Sequence, residues 1–285
     1  MAVDIGYFIK DGKRLRAMED KGVKTVMVLG GSDTGKTTLV EALLNFLSGP
    51  RAIIDLDMGQ SSIGVPTTVS WGMASGRLID LRDIKEEGFY FTGALSPIGN
   101  LLPSVVGAQR LVETAREAGE KVVIDTTGLI DEPAGRALKR YKIDLLRPDV
   151  IIGLEREREL SHILDPLRFM EKPHAWRIPV PAGATPKNRT RRMEWRAKRF
   201  REYFSASMTA EVSLEEIGVE FTREAAFSGL EGRAVSFRNS VGEDVCLGII
   251  EKADMRKKRL FIRIPQGRKA GWKTLVIGSA VIDAV

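Results

Sequence analysis

Gly30-Gly31-Ser32-Asp33-Thr34-Gly35-Lys36-Thr37-Thr38 is the stretch of sequence that decides the fold. It satisfies the pattern G-x-x-x-x-G-K-[ST], in which glycines let backbone N–H groups turn inward around phosphates. The apolar run from Thr25 to Leu29 predicts a buried strand before it, and apolar residues at helical spacing from Thr38 to Leu47 predict a helix after it. Together they indicate a phosphate-binding loop with the positive end of the helix dipole at the phosphates.

Every residue of this loop is a candidate nucleotide contact. We expect Lys36 to reach the β- and γ-phosphates, the Thr37 hydroxyl to ligate Mg²⁺, and Thr38 to bond the α-phosphate. The predicted nucleotide-binding residues are therefore Gly30, Gly31, Ser32, Asp33, Thr34, Gly35, Lys36, Thr37 and Thr38.

The chain up to Phe204 repeats this alternation of strands and helices. Strand-like apolar runs are expected at 52–56, 89–91, 122–125, 150–154 and 178–180, with a helix at 105–118. The pattern favours an α/β fold: a P-loop parallel sheet with helices on both faces. Ligands bind such sheets at the carboxyl ends of the strands, where the remaining motifs also lie.

The character of the sequence changes after Phe204. Short strand-like runs separated by turn sequences such as 239–244 predict a small C-terminal all-β domain. We therefore expect a lead-in at 1–20, a P-loop domain at 21–206 and a small β domain at 207–285.

A second motif, Asp55-Leu56-Asp57-Met58-Gly59-Gln60, directly follows the second strand. Alternation places Asp55 and Asp57 on the same side of the strand end, so both are expected to reach a metal–phosphate centre. One carboxylate near Mg²⁺ is what a P-loop site requires, and another can accept a hydroxyl proton. The predicted metal ligands are Thr37 and Asp57, and Gln60 is a candidate for positioning the nucleophile or a phosphate.

A third motif, Asp125-Thr126-Thr127-Gly128, follows the strand at 122–125. A strand-terminal Asp followed by hydroxyls and a glycine resembles the Walker B turn of P-loop proteins. Asp125 is a candidate for holding metal-bound water. Thr126, Thr127 and the Gly128 N–H are candidates for gripping a phosphate.

Residues 187–204 form a basic segment predicted to be a helix. Between 187 and 201 eight cations stand against one acid, Glu194, and apolar residues recur at helical spacing. Beside a phosphate site, such a helix is a candidate lid that brings arginines to transferring charge. Its apolar face is predicted to be Met193, Ala197, Phe200 and Phe204. The adjacent stripe is Arg192, Arg196 and Arg199.

Composition favours a polyanionic partner and argues against a disulfide-bonded, zinc-binding or membrane-spanning protein. The 285 residues include 44 Lys and Arg against 38 Asp and Glu, a net charge of +6 that suits a polyanionic partner where the cations cluster. Cys246 is the single cysteine, and His162 and His174 are the only histidines, which excludes an internal disulfide and a Cys/His zinc site. Without a signal-like or membrane-length apolar run, we expect a soluble, cytoplasmic protein that does not bind membranes.

The combined motifs resemble those of the polynucleotide 5′-hydroxyl kinase family, which includes the messenger-RNA cleavage-factor and ribosomal-RNA-processing kinases. The resemblance covers about residues 24–284. It includes the P-loop, the D-x-D-x-G-Q run, the short T-x-G clasp, the substrate-side loop 93–97, and the arginine-rich helix that ends in Arg201-Glu202-Tyr203-Phe204.

The resemblance implies transfer of the γ-phosphate of ATP, or alternatively of GTP, to the 5′-hydroxyl of RNA or DNA, with Mg²⁺ as cofactor. By motif position Lys36 would stabilise the phosphoryl group, Asp57 would be the base and Gln60 would help place the acceptor. Thr126 and Gly128 would form the clasp, and Arg192 would be a lid arginine. We further expect the basic clusters 187–201 and 252–269 to bind the substrate backbone.

Three features depart from the family pattern. Only 29 residues precede Gly30, so we expect a short form without the N-terminal β domain that supplies some nucleobase contacts. The clasp reads Asp125-Thr126-Thr127-Gly128-Leu129, where Asn and Trp flank the family's version. Lys187 or Arg189 stands where a second lid arginine is expected.

Two other functions fit parts of the sequence. A nucleotide-dependent switch, an assembly ATPase or a GTPase without a polynucleotide substrate would share the P-loop and the Asp125 turn. Against these, the chain lacks the Asn-Lys-x-Asp guanine motif, and a switch has no evident use for an arginine-rich lid. A non-catalytic module that keeps ATP as a structural ligand would not need Lys36, Thr37 and Asp57 together.

Overall fold

The computed structural model describes residues 3–184, 188–223, 229–268 and 271–282. Short 3-10 helices occur at Ile5–Tyr7 and Leu81–Asp83. The α-helices in the described ranges are α1 (Gly12–Glu19), α2 (Lys36–Phe46), α3 (Leu101–Ala118), α4 (Glu132–Leu146), α5 (Ser161–Leu167) and α6 (Arg189–Tyr203). The corresponding strands are β1 (Thr25–Gly30), β2 (Arg51–Asp55), β3 (Thr68–Ala74), β4 (Gly88–Phe91), β5 (Lys121–Asp125), β6 (Val150–Glu155), β7 (His174–Pro179), β8 (Ser207–Ser213), β9 (Gly218–Phe221), β10 (Arg233–Arg238), β11 (Asp244–Asp254), β12 (Arg259–Pro265) and β13 (Thr274–Val281).

The N-terminal part of the sheet is parallel. Strands β7, β6, β1, β5 and β2 run side by side in that order, all parallel, and β3 and β4 extend the β2 edge as antiparallel strands. The carboxyl ends of β1, β2 and β5 therefore meet at one edge. In register, Asp55 of β2 is directly opposite Asp125 of β5. The α/β fold class predicted from sequence is confirmed.

Two apolar clusters cover the two faces of this parallel sheet, as strand alternation requires. Val26 and Val28 pack on one face with Leu39 and Leu43 of α2. Met27 and Leu29 contribute to the other face, which is covered by α3, α4 and α5. Burial on both faces explains why β1 reads as a continuous apolar run.

Residues 3–20 do not behave as a separate lead-in. Ile5, Phe8, Ile9 and Met18 are buried in the same cluster as α2. The buried Lys121 ammonium donates hydrogen bonds to the carbonyls of Met18, Asp20 and Val23 at 2.6–2.9 Å. The N-terminal segment is thus part of the P-loop core, and the boundary expected at residue 20 does not coincide with a break in packing.

The C-terminal strands β8–β13 enclose their own apolar cluster, as the sequence predicts. Its buried members lie between Ala210 and Ile277. β4 joins these strands to the P-loop sheet through a single pair, Phe89 opposite Asp244. A further apolar cluster packs Phe200 of α6, and Phe204 directly after it, against the C-terminal strands. Among the described residues, no helix is long and apolar enough to cross a membrane.

Candidate active site

The P-loop connects β1 to α2 with two residues in the left-handed region. Asp33 has a φ of +56° and Gly35 a φ of +88°. Gly30 is required by close approach, because a Cβ there would lie 2.6 Å from Thr34 Oγ1 and 2.8 Å from the Leu154 carbonyl oxygen. Lys36 is buried, and its ammonium donates to the Gly31 carbonyl at 2.5 Å.

A cavity of about 490 Å³ opens over this loop. It is walled by the P-loop, the carboxyl ends of β2 and β5, the loop after β4, and α6. Its lining residues are 32–38, 95–97, 125–129, 183–184, Asp57, Gly59, Gln60, Ser62, Arg192, Trp195 and Arg196. The structure therefore brings most of the predicted site residues to one cavity, while Gly30 and Gly31 support the loop beneath it.

Asp125, at the end of β5, contacts the first turn of α2. Thr37 Oγ1 donates to Asp125 Oδ2 at 2.8 Å, whereas the buried Asp125 Oδ1 has no hydrogen-bond partner among the described residues. Burial raises the pKa of the Asp125 carboxyl, and the nearby Lys36 charge opposes the shift. A buried carboxylate oxygen beside a P-loop threonine suits a magnesium ion, which binds one or two protein ligands plus phosphates and water. In the described ranges, no group of three or more His, Cys, Asp or Glu side chains is arranged to hold a metal by itself.

Asp55 and Asp57 have different environments, contrary to the expectation that both face the site. Asp55 is buried, accepts hydrogen bonds from Asp57 N, Ser61 Oγ and Ser62 N, and is absent from the cavity lining. Burial, helped by the charges of Asp125 and Asp57, raises the pKa of Asp55 to about 7. The chain leaves the extended conformation directly after β2, so alternation does not continue to Asp57. Asp55 therefore holds the loop that presents Asp57.

Asp57 lies in the cavity wall. Its Oδ1 accepts hydrogen bonds from the Gly59 and Gln60 N–H groups, both at 3.0 Å. Gly59 lets this loop approach the next wall, because a Cβ at Gly59 would lie 2.6 Å from the Leu95 carbonyl oxygen. Residues 95–97 of the loop predicted to be on the substrate side thus line the same cavity as Asp57 and Gln60.

The predicted clasp lies against the P-loop. A Cβ on Gly128 would lie 2.6 Å from Ser32 N, so only glycine fits there. The buried Thr126 hydroxyl donates to the Val28 carbonyl at 2.8 Å, which ties the turn to β1. All three predicted clasp residues line the cavity, and the Thr127 hydroxyl also accepts a hydrogen bond from Lys139 Nζ at 3.5 Å.

Two buried lysines of α4, which the sequence analysis did not single out, lie behind the clasp. Lys139 Nζ donates to the Thr127 carbonyl at 2.6 Å. Burial lowers the pKa of Lys139 well below its usual value and that of Lys142 to about 7. Asp57 favours the charged form of both lysines. The signal that could have found them is their i, i+3 spacing within an otherwise apolar helix face.

The lid helix α6 covers the cavity. Arg192 Nη2 forms an ion pair of 2.6 Å with Asp33 Oδ2 in the P-loop, and the buried Arg192 Nε has no hydrogen-bond partner among the described residues. Arg196 also lines the cavity, whereas Arg189 is exposed outside it and Lys187 lies outside the described residues. Burial and the charges of Arg192 and Arg189 lower the pKa of Arg196, and Asp57 opposes the shift.

The expected apolar face of α6 needs correction, whereas the second basic cluster stays a prediction. Met193 is 52% exposed, so the apolar face of α6 is buried only toward Phe200 and Phe204. In the second basic cluster, Lys258, Arg259 and Arg263 form ion pairs with Glu215, Glu211 and Glu251. Lys269 of this cluster lies outside the described residues.

Comparison with known proteins identifies relatives of two related kinds. The family described as "mRNA cleavage and polyadenylation factor CLP1 P-loop" matches residues 30–206. A polyribonucleotide 5′-hydroxyl kinase of Methanocaldococcus jannaschii is 35% identical over 201 residues, 70% of this chain and 55% of that protein. One of Pyrococcus abyssi is 34% identical over 255 residues, 88% of this chain and 66% of that protein. A CLP1 homologue of Anopheles gambiae is 29% identical over 207 residues, 66% of this chain and 47% of that protein.

A solved structure titled as a wild-type Clp1p–Pcf11p complex superposes with a TM-score of 0.72 at 15% identity, covering 95% of this chain and 77% of that one. At this identity the likeness shows the fold alone. The chain spans about 55–66% of the length of the curated kinases described above.

Proposed function

The chain belongs to the CLP1 P-loop family, and from this premise we propose that it is an ATP- and Mg²⁺-dependent polynucleotide 5′-hydroxyl kinase. The observation that carries the proposal is that one cavity is lined by a P-loop, the carboxylate of Asp57 and two lid arginines. A phosphoryl transferase needs these three parts: a cradle for the donor, a base for the acceptor and cations for the transferring charge.

The donor is proposed to bind along the P-loop. Backbone N–H groups of residues 31–37 and the start of α2 would cradle the phosphates, with Lys36 moving from the Gly31 carbonyl to a phosphate oxygen. Thr37 and Asp125 are the residues that would hold Mg²⁺, because the buried Asp125 Oδ1 offers an unpartnered acceptor beside the Thr37 hydroxyl. The bound ion would neutralise charge on the β- and γ-phosphates.

The acceptor is proposed to enter between Asp57 and the loop at 93–97. Asp57 would accept the proton of the 5′-hydroxyl as the hydroxyl oxygen attacks the γ-phosphorus, while the bond from the γ-phosphorus to the β,γ-bridging oxygen breaks and ADP leaves. The two backbone hydrogen bonds to Asp57 Oδ1 fix the orientation of this carboxylate. Gln60, from the same wall, would help place the acceptor. Asp55 is the weaker candidate for the base because its carboxylate is occupied by the loop it holds.

Arg192 and Arg196 are proposed to stabilise the charge of the transferred group. They are four residues apart on α6 and so lie on one face of the helix. The Arg192–Asp33 ion pair holds this face over the P-loop, and Arg192 Nε remains as a donor for a phosphate oxygen. The main alternative is a nucleotide-dependent switch. Such a protein transfers no phosphate to an acceptor, so it would not need Asp57 and two arginines in the same cavity as the P-loop.

The proposed acceptor is RNA, since curated relatives at 34–35% identity are named polyribonucleotide kinases. The test is incubation with γ-labelled ATP and a 5′-hydroxyl oligoribonucleotide, with the matched DNA in parallel. Label on the RNA supports the proposal. Label recovered only as free phosphate would instead support a switch or an assembly ATPase.

A further inference from the structure

The lid helix α6 is fixed to two different walls of the cavity. At its N-terminal half Arg192 pairs with Asp33 of the P-loop at 2.6 Å. One to two turns later, Arg199 Nη2 donates to the Ile63 and Gly64 carbonyls, at 2.7 and 2.8 Å, in the loop that follows Asp57. Residues three and four apart share a helix face, so Trp195 lies between these anchors on the face turned toward the cavity.

Trp195 is the one aromatic side chain among the described residues that line this cavity. The Arg199 guanidinium carbon lies 5.8 Å from the centre of its ring, within the range of a cation–π contact, which holds the ring in place. The next residue, Arg196, is near enough to Asp57 to interact with its charge. The Arg199 side chain that contacts this ring also donates to the Ile63 and Gly64 carbonyls in the loop after Asp57, so Trp195 is on the side of the cavity where the acceptor is proposed to enter.

Core packing does not account for this tryptophan. Trp71, Trp176 and Trp272 each pack against one of the described apolar clusters, whereas Trp195 belongs to none of them. It is half-buried, with part of its surface in the cavity wall. A large aromatic surface turned toward a polar, cationic cavity is the arrangement that single-stranded nucleic acids use for base stacking.

We propose that Trp195 is the stacking platform for the base of the 5′-terminal nucleotide of the acceptor. This inference rests on the proposed kinase function. With the 5′-hydroxyl at Asp57, the base of the same nucleotide is one sugar away, and Trp195 lines the same cavity as Asp57. Stacking uses the face of a base rather than its edge, so any base is accepted, and Trp195 would select for a base at the end of the strand without reading its identity.

The test is equilibrium binding of two 3′-labelled oligoribonucleotides with 5′-hydroxyl ends, one intact and one whose terminal nucleotide lacks its base. Binding is measured for the wild-type chain, Trp195→Phe and Trp195→Leu. We expect the wild type to prefer the intact strand by about 5- to 100-fold, the value of one base–aromatic stack. Trp195→Phe should keep most of this preference. Trp195→Leu should lose the preference, and its affinity for both strands should equal the affinity of the wild type for the strand that lacks the terminal base.

Two outcomes would overturn the inference. Trp195→Leu could discriminate between the strands as well as the wild type does, or it could leave strand binding intact and weaken ATP binding, which would assign Trp195 to the donor base. Failure of the kinase function is seen separately, as absence of label transfer by the wild type to either strand.

Discussion

Thr37 Oγ1 donates a 2.8 Å hydrogen bond to Asp125 Oδ2, which links the first turn of α2 to the carboxyl end of β5. This contact joins two sequence motifs that are 88 residues apart. The other oxygen of Asp125 is buried without a partner in the described part of the chain. This arrangement supports the proposal that Thr37 and Asp125 hold Mg²⁺.

Asp125→Asn should weaken the effect of magnesium on nucleotide binding. The amide keeps the shape of the carboxyl but loses the charge that Mg²⁺ requires, so added Mg²⁺ should tighten binding of a fluorescent ATP analogue far less than in the wild type. The measurement is analogue affinity across a magnesium titration. Unchanged magnesium dependence would show that Asp125 does not hold the ion, and Asp57 would become the preferred acid.

Asp57→Asn should cut transfer to the oligonucleotide by about 10²- to 10⁴-fold, the usual value of general-base assistance. ATP affinity should be largely unchanged, since a base acts on the acceptor. The measurement combines single-turnover transfer with ATP binding. If excess Mg²⁺ restored activity, Asp57 would be a metal ligand, and loss of ATP binding would likewise contradict the assignment.

Arg192→Met and Arg196→Met should each lower kcat by about 10²- to 10³-fold, the typical effect of removing one donor to transition-state charge. Arg189→Met is the matched control, because Arg189 is on the same helix but exposed outside the cavity. Steady-state kinetics of the three variants decide the point. Equal losses in all three would mean that α6 contributes general positive charge rather than two placed arginines.

Lys142→Met should stabilise the fold at pH 7. Burial lowers the folded-state pKa of Lys142 to about 7, so the native chain bears the cost of burying this amine at pH 7 and below. That cost, at most a few kcal/mol, fades as pH rises toward the unfolded-state pKa, about 10.4. Denaturant unfolding at pH 7 and 9.5 should show the advantage of the variant shrinking. A difference that does not change with pH would contradict this explanation.

Sequence predicted the parts of the fold that are decided by local patterns. The strands β1, β2, β5 and β6 are continuous apolar runs because both faces of the sheet are covered, and the P-loop pattern marks its own turn. β3 was not predicted, because Ser70 and Gly72 interrupt its apolar pattern and its stability comes from pairing with β2 and β4. α4 was also missed, since buried lysines occupy its inner face.

Sequence predicted which residues belong to the site, but not which of them face the cavity and which only support it. Alternation assigned Asp55 and Asp57 to the same side, and only the turn after β2 shows that Asp55 faces inward. Arg196 and Trp195 could not be separated from the exposed lid residues, because the rotation of α6 is fixed by contacts far along the chain, at Asp33 and Gly64. The catalytic roles of Lys36, Asp57, Gln60 and Arg192 stay predictions.

The most direct test of the account measures transfer from γ-labelled ATP to two RNAs that differ only in carrying a 5′-hydroxyl or a 5′-phosphate, with Lys36→Ala as the control. We predict label on the 5′-hydroxyl RNA alone, released on its 5′-terminal nucleotide after nuclease digestion. Lys36→Ala should lower the rate at least about 100-fold, since a cation bound to phosphate in a dry site contributes several kcal/mol. Release of free phosphate at the same rate with either RNA, with no label on the RNA, would contradict the account.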